Sequence, residues 1–147
     1  METKIVMVGL ASGLVLGSLG FTHCSIEDIG VLRSIPNLTI ISPADSLEVV
    51  KSLEASINHK NSVYIRLTGG SPSPSVYHED YKFEIGKGIK LTDGNEVVIF
   101  TSGASVYECL EAAKKLEKES ISTSVINMHT IKPVSYTHLT LPTTPYV

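Results

Sequence analysis

Residues 38–67 read LTIISPADSLEVVKSLEASINHKNSVYIRL, and this stretch decides the fold class. A short apolar strand pattern over residues 38–41 precedes a helical pattern, and a second β-rich run covers residues 62–67. Asp45 and Glu48 have the Asp-x-x-Glu spacing of a capping box, which opens a helix reaching about Asn58. A strand, a helix and a strand in this order indicate a parallel pair joined by a right-handed crossover.

The same alternation extends toward the amino end of the chain. Residues 4–8 (KIVMV) are short, apolar and β-rich, which predicts a buried strand. The stretch from Gly9 to Cys24 predicts a long, glycine-punctuated loop, a kind of segment that often carries function. Ser25 is predicted to cap a helix that Pro36 closes. These elements extend the α/β fold and its parallel sheet.

Composition changes at Thr68, where the run TGGSPSPS begins. Its prolines and glycines cannot continue a sheet, so we predict a domain linker over residues 68–82. Beyond it, strands are predicted at 86–91 and 96–101, on either side of Asp93-Gly94. That dipeptide is a hairpin signal whose turn requires positive φ, so the two strands are expected to form a hairpin.

The remaining pattern is a helix, a strand and a tail. Ser105 is predicted to cap a helix reaching about Glu119, and residues 123–127 predict another strand. One hairpin, one helix and one strand leave a sheet edge unpartnered, so we expect the sequence to be truncated at both ends. Residues 134–147 (VSYTHLTLPTTPYV) resemble translated adapter sequence and are interpreted as an artefact; the alternative is a genuine short tail.

Bulk composition narrows the class of function. The net charge of −3 gives no basic field for nucleic acid, and no apolar run reaches membrane-spanning length. The two cysteines, Cys24 and Cys109, lie far apart without metal-ligand spacing. Since the sequence carries no export signal, we expect both to be reduced thiols in a cytoplasmic protein.

Two groups of short motifs resemble the transketolase family, in the order that the family has them. The first group resembles its pyrimidine-binding domain: GFTHCSIED (20–28), IGVLRSIPN (29–37) and SPADSLE (42–48). The second group resembles its C-terminal domain: Gly86-Lys87-Gly88, Asp93-Gly94, Ser102-Gly103 and Ile131-Lys132-Pro133. The resemblance divides the chain into a partial pyrimidine-binding domain (1–67), the linker (68–82), a partial C-terminal domain (83–133) and the non-family tail (134–147).

The resemblance implies a thiamine-diphosphate-dependent transferase that moves a two-carbon ketol unit between sugar phosphates. In such enzymes the cofactor performs the difficult chemistry, while the protein positions and polarises the reactants. Thiamine diphosphate would be held, with Mg²⁺ or Ca²⁺, by a diphosphate-binding domain that this chain lacks, so the chain alone is expected to be inactive. The implied assembly is a homodimer or a heterotetramer of split subunits.

His23 and Arg66 are the candidate site residues. By similarity, His23 is catalytic and hydrogen-bonds substrate oxygens, which suits an imidazole that donates, accepts or changes charge near neutral pH. The alternative is a histidine that only ties backbone together. Arg66 lies at the end of a predicted strand, where members of the family often have an arginine that binds a sugar phosphate. The alternative is that Arg66 forms a surface ion pair. Glu27 and Asp28 are interpreted as helix-start carboxylates, cofactor-binding residues stay unassigned, and no metal ligands are expected.

Some features that the family uses are missing. Many transketolases carry an acidic residue just before Gly-x-Thr-His, where this sequence has Ser18 and Leu19. They also carry another histidine further upstream, where this sequence has Leu10, Ala11 and Ser12. The family's catalytic glutamate would lie upstream of the first strand. The substrate therefore stays open. The alternatives are a deoxyxylulose-phosphate synthase, the beta subunit of a 2-oxo acid dehydrogenase or, in another class, a non-catalytic binding or assembly subunit.

Overall fold

Residues 3–69 and 74–135 are described by a computed structural model, and both stretches combine strands with helices. The first contains β1 Val6–Gly9, α1 Asp28–Leu32, β2 Leu38–Ile41, α2 Ser46–Asn58 and β3 Ser62–Arg66. The second contains β4 Ile89–Lys90, β5 Val97–Thr101, α3 Ser105–Lys118, β6 Thr123–Asn127 and β7 Thr130–Lys132. The predicted α/β class is confirmed. Of the helices in these two stretches, none is long and apolar enough to cross a membrane.

The first sheet contains the parallel strands that the sequence predicts. Its order is β1-β3-β2-β7, and both β1 and β2 run parallel to β3. Their Val, Ile and Tyr side chains suit a sheet that is covered on both faces. The centre of the sheet is formed by Ile40, Ile41, Val63 and Ile65, each at most 1% exposed.

Strand β7 joins this sheet from beyond the predicted linker. It runs antiparallel to β2, with Ile41 opposite Thr130. Beside this pairing, Ser42 N donates to His129 O (2.7 Å), and Gly103 N donates to Ser42 O (3.0 Å). Residues on both sides of the predicted linker therefore contribute to one sheet.

The second sheet corrects the predicted hairpin. Its order is β4-β6-β5, so β6 lies between the two strands, antiparallel to β4 and parallel to β5. Gly94 has no positive φ. It is needed for close packing instead, because a Cβ at this position would lie 2.2 Å from the carbonyl carbon of Thr123 in β6. The Asp93-Gly94 dipeptide therefore passes over β6 and closes no hairpin.

Two predicted helix caps are also wrong. Helix α1 begins at Asp28, and Ser25 forms backbone hydrogen bonds with Gly13 instead of capping the helix. Helix α3 has Ser105 as its first residue, and the Ser105 hydroxyl donates to Ser102 O at 2.8 Å. The Ser105 hydroxyl thus bonds to a carbonyl that precedes the helix, and neither serine occupies the N-cap position of its helix.

Asp45 caps α2 as predicted and also binds the linker. Its Oδ1 accepts from Glu48 N at 2.9 Å, and its Oδ2 accepts from the backbone nitrogens of Val76 and Tyr77 at 2.8 and 2.9 Å. The part of the predicted linker around Val76 and Tyr77 is thus fixed to the start of α2. Residues 70–73 of the linker, and all of the predicted tail except Val134 and Ser135, lie outside the described residues.

A buried carboxylate joins α2, the linker and β6. Glu48 is 0% exposed; its Oε2 accepts from Ala44 N (2.7 Å) and its Oε1 from Tyr81 Oη (3.0 Å). Asn127 Nδ2 donates to both carboxylate oxygens (3.0 Å each) and to Tyr77 Oη (2.8 Å). Burial raises the pKa of Glu48, although the hydrogen bonds from Ala44 N, Asn127 and the two tyrosines oppose the rise. We call these five residues the Glu48 junction.

Candidate functional site

The glycine-rich loop that follows β1 is fixed at both ends beside the carboxyl end of β3. At its start, Ser12 N donates to Leu67 O (3.0 Å), and Leu67 N donates to Gly9 O (2.7 Å). At its end, Gly13 N donates to Ser25 O (2.7 Å), and Ser25 N donates to Gly13 O (3.1 Å). Because α/β folds bind ligands at the carboxyl ends of parallel strands, the loop lies at the place where a site is expected.

His23 lies at the end of a 3₁₀ turn, Phe21–His23, within this loop. Gly20 precedes the turn and has a φ of +88°, a backbone conformation that residues with a side chain rarely adopt. Its carbonyl oxygen accepts a hydrogen bond from His23 N (3.0 Å). The imidazole is exposed, and its Nδ1 lies 3.0 Å from Thr22 Oγ1. The predicted histidine is therefore accessible to a ligand or a partner.

The loop around His23 is uncharged and presents apolar side chains to solvent. Residues 9–24 contain no Asp, Glu, Lys or Arg. Its exposed large apolar side chains include Leu10, Leu14, Leu19 and Phe21, and that of Phe21 is 89% exposed. Exposed apolar side chains concentrated in one segment are typical of a surface that binds a ligand or another protein.

Arg66, the second predicted residue, is held by Asp28. Its Nε donates to Asp28 Oδ2 (2.8 Å), and its Nη2 donates to Asp28 Oδ1 (3.3 Å) and to Ser25 O (3.4 Å). Tyr64 Oη donates to the same Asp28 Oδ2 at 3.0 Å. The side chains of Arg66 and Asp28 are only 17% and 9% exposed, so this ion pair is mostly buried. We call Asp28, Tyr64 and Arg66 the Asp28 cluster.

The Asp28 cluster is ionised at neutral pH. Burial opposes the ionisation of Asp28, but the hydrogen bonds from Arg66 and Tyr64 and the guanidinium charge outweigh it, so the pKa of Asp28 lies below its ordinary value. Burial, followed by the hydrogen bond to Asp28 and its negative charge, raises the pKa of Tyr64 to about 12. The cluster therefore contains a carboxylate, a guanidinium and a neutral hydroxyl that donates to the carboxylate.

The structure attaches both predicted residues to one loop without joining their side chains. No hydrogen bond links His23 to Arg66 within residues 3–69. The partners of Arg66 are not evident from the sequence, because the position of Asp28 indicates only a helix-start carboxylate. At Gly9, a Cβ would lie 2.2 Å from Tyr64 Oη, so any side chain there would require the tyrosine ring to shift.

Comparison with known proteins identifies both parts of the chain. Residues 1–71 match the transketolase pyrimidine binding domain, and residues 86–140 match the transketolase C-terminal domain. A subunit of the apulose-4-phosphate transketolase of Phocaeicola vulgatus is 34% identical over 134 residues, and its counterpart in Actinobacillus succinogenes is 37% identical over 132 residues. Each alignment covers 90% of this chain but only 43% and 42% of the relative, so the chain spans less than half the length of these relatives.

A solved structure has the same fold. It is described as a split gene transketolase, an inactive beta4 tetramer, and it superposes with a TM-score of 0.77 at 32% sequence identity. The superposition covers 88% of this chain and 41% of the other. Family matches on both sides of the linker, in the order that the sequence motifs have, agree with this superposition. The chain belongs to the transketolase family.

Proposed function

We propose that this chain is part of a thiamine-diphosphate-dependent, transketolase-like enzyme that transfers a two-carbon ketol unit between sugar phosphates, with His23 as a catalytic residue. The observation that carries the proposal is the exposed imidazole of His23 on an uncharged loop beside the carboxyl ends of parallel strands. The two relatives named as transketolase subunits support a ketol-transferring parent enzyme.

A histidine at this position can act on the oxygens of a sugar. Its imidazole can donate a hydrogen bond to a substrate hydroxyl or accept the proton of one near neutral pH. Since Nδ1 faces Thr22 Oγ1, Nε2 is the nitrogen that remains for the substrate. The apolar side chains of the loop, such as Leu14 and Phe21, would exclude water from a bound substrate once they are covered.

The described residues fit one part of the cofactor. Thiamine diphosphate supplies the carbanion chemistry when it is bound. The loop offers apolar side chains and His23 to its organic rings. The described residues do not fit its diphosphate and metal, because no group of three His, Cys, Asp or Glu among them could hold an ion. We therefore assign the diphosphate and its Mg²⁺ or Ca²⁺ to a diphosphate-binding domain or subunit.

We further propose that the chain acts together with a partner subunit that carries this domain, in a homodimer or a heterotetramer, and that it is inactive alone. The relatives named as transketolase subunits and the split-gene tetramer support this assembly. A cytoplasmic location stays a prediction, with which the free cysteines Cys24 and Cys109 agree.

The role of Arg66 as a phosphate ligand stays a second prediction for the same site. Its Nε and Nη2 already donate to Asp28 and Ser25, so a phosphate would meet Nη1 first. A bidentate grip on the phosphate would require Asp28 to release the guanidinium. His23 is therefore the stronger candidate for contact with substrate.

A chimera tests the proposed function. Residues 4–133 would replace the matching segment of the Phocaeicola vulgatus transketolase subunit, and ketol transfer would be assayed with its partner subunit, thiamine diphosphate and Mg²⁺. In an active chimera His23→Ala should lower kcat/KM by about 10²- to 10⁴-fold, the usual contribution of a general acid or base. His78→Ala is the matched control, because His78 is also exposed but lies outside the loop; it should leave kcat/KM unchanged.

Three other outcomes would count against parts of the proposal. Equal activity of the His23→Ala and His78→Ala chimeras would remove His23 from the catalytic residues. A chimera that assembles but transfers no ketol unit would favour the non-catalytic assembly subunit. A chimera that consumes pyruvate in place of a ketose would favour the deoxyxylulose-phosphate synthase or the 2-oxo acid dehydrogenase.

A further inference from the structure

We propose that Asp28 is a positioning residue, which holds the loop in the conformation that presents His23 to substrate. This inference rests on the proposed function of His23. It gives Asp28 a tertiary role that its place at the start of α1 does not suggest.

The geometry around Asp28 is that of an anchor point. Its carboxylate accepts three hydrogen bonds from two residues of β3: Arg66 Nε at 2.8 Å, Arg66 Nη2 at 3.3 Å and Tyr64 Oη at 3.0 Å. Tyr64 and Arg66 are two positions apart on the strand and therefore point to the same face of the sheet. Asp28 thus ties the first turn of α1 to the end of β3.

Contacts lead from this cluster to both ends of the loop. Tyr64 lies against the loop's first residue, Gly9, where a Cβ would lie 2.2 Å from the tyrosine oxygen. Arg66 Nη2 donates to Ser25 O, and Ser25 pairs in both directions with Gly13. Ser25 follows His23 by two residues, so the guanidinium that Asp28 orients also fixes the backbone beside the imidazole.

The charge of Asp28 is what the arrangement depends on. Without it, the mostly buried guanidinium of Arg66 would lack its counter-charge and would have to turn toward water or toward another acceptor. Residues 9–24 contain no acidic side chain that could replace the carboxylate. The loop would then lose the hydrogen bond from Arg66 Nη2 to Ser25 O, and the turn that carries His23 would become more mobile.

The test uses the full 147-residue chain and observes His23 directly. Asp28→Asn keeps the shape of the side chain and removes its charge. In long-range ¹H–¹⁵N spectra, the chemical shifts of the His23 ring nitrogens should approach those of the exposed His78. Amide hydrogen exchange over residues 12–25 should accelerate by ~10-fold or more. Spectra and exchange rates equal to those of the wild type would overturn the proposal.

Two control variants separate positioning from general destabilisation. Glu27→Gln removes the same type of charge from the exposed neighbouring residue and should change neither measurement. Val106→Ala leaves a cavity in α3, far from the loop in sequence, and should lower the thermal midpoint without moving the His23 signals. If Val106→Ala changes the His23 signals as Asp28→Asn does, the proposal fails.

A further variant covers the case in which Asp28→Asn does not fold. Tyr64→Phe deletes one of the three donors and leaves the ion pair in place. It should shift the His23 signals in the same direction by a smaller amount, and the absence of any shift would overturn the proposal.

A double variant of the active chimera tests for an effect on kcat/KM that a loss of stability alone would not produce. Asp28→Asn alone should lower kcat/KM by ~10-fold, whereas adding it to His23→Ala should lower kcat/KM by less than ~2-fold, because Asp28 acts through His23. Additive losses would contradict the proposal. The spectra do not depend on activity, so a failure of the catalytic role of His23 would be distinguishable from a failure of the positioning role of Asp28.

Discussion

Replacing Glu48 by alanine should destabilise the protein by about 3 kcal/mol. Two well-buried donors would lose an acceptor: the backbone N–H of Ala44, and one N–H of the Asn127 side-chain amide, which keeps its bond to Tyr77 Oη. Each buried donor left unpaired costs about 1–3 kcal/mol, and the lost methylene adds about 0.8 kcal/mol. Relief from burying a carboxylate, the cause that raises the pKa of Glu48, offsets part of this sum.

Urea unfolding followed by circular dichroism measures this loss. In a thermal scan, 3 kcal/mol corresponds to a fall in Tm of roughly 6–12 °C for a chain of this size. Glu54→Ala is the matched control, because Glu54 lies exposed on the same helix; it should change the free energy of unfolding by less than about 0.5 kcal/mol. A loss below about 1 kcal/mol in Glu48→Ala would refute the view that this carboxylate joins α2, the linker and β6.

Two further predictions concern the same junction and the second sheet. The folded pKa of Glu48 lies above its unfolded value, so the stability that this group contributes should fall as pH rises from about 4 through the folded pKa. Glu48→Gln lacks this titration, so the difference in unfolding free energy between wild type and variant should change with pH in this direction, and a difference that stays constant with pH would refute the assignment. Gly94→Ala should cost about 2 kcal/mol or more in urea unfolding, because its Cβ would meet the β6 backbone at 2.2 Å. Gly17→Ala, where a Cβ has open space, should cost less than about 1 kcal/mol, and equal losses in the two variants would contradict the packing role of Gly94.

The sequence predicted the elements that have strong local patterns. Strand β2 begins and ends where its apolar run does, β6 covers the predicted residues 123–127, and α2 begins at its capping box and ends at Asn58. These boundaries depend on short-range chemistry, which a single sequence contains. The hairpin prediction was wrong for the opposite reason. Asp93-Gly94 is a local signal, whereas the strand that lies between β4 and β5 is β6, which comes later in the sequence.

Helix α2 illustrates why burial was harder to predict than helicity. Its apolar residues Val50, Leu53 and Ile57 are between 45% and 65% exposed, while Ser52 and Ser56 are fully buried. The serine hydroxyls bond to backbone carbonyls of their own helix, to Val49 O and Ser52 O, and so need no other partner. Small, internally satisfied side chains allow close packing on the inner face, and a hydrophobicity pattern does not reveal this.

For the candidate site, the sequence supplies two residues as predictions but not their partners. The Thr-His pair in a glycine-rich loop pointed to His23, and the end of a strand pointed to Arg66. Their hydrogen-bonding partners could not be predicted, since Asp28 lies 38 residues from Arg66 and Glu48 lies 79 residues from Asn127 along the chain. A single sequence contains no signal for such distant pairs. The close contact between Gly9 and Tyr64 is likewise visible only in the structure.

Carboxylates at helix starts have two roles in this protein. Asp28, Asp45 and Glu48 all lie where a carboxylate favours the helix dipole, and the sequence interpretation went no further than that local role. A carboxylate has about four acceptor positions, so one that binds a helix N–H can still accept from distant groups. Asp45 does so with the linker backbone, Glu48 with Asn127, and Asp28 with Arg66. The helix starts are therefore where tertiary connections converge. Asp28→Asn should disturb the loop that carries His23 more than α1, and Glu48→Ala should disturb the segment around Asn127 more than α2.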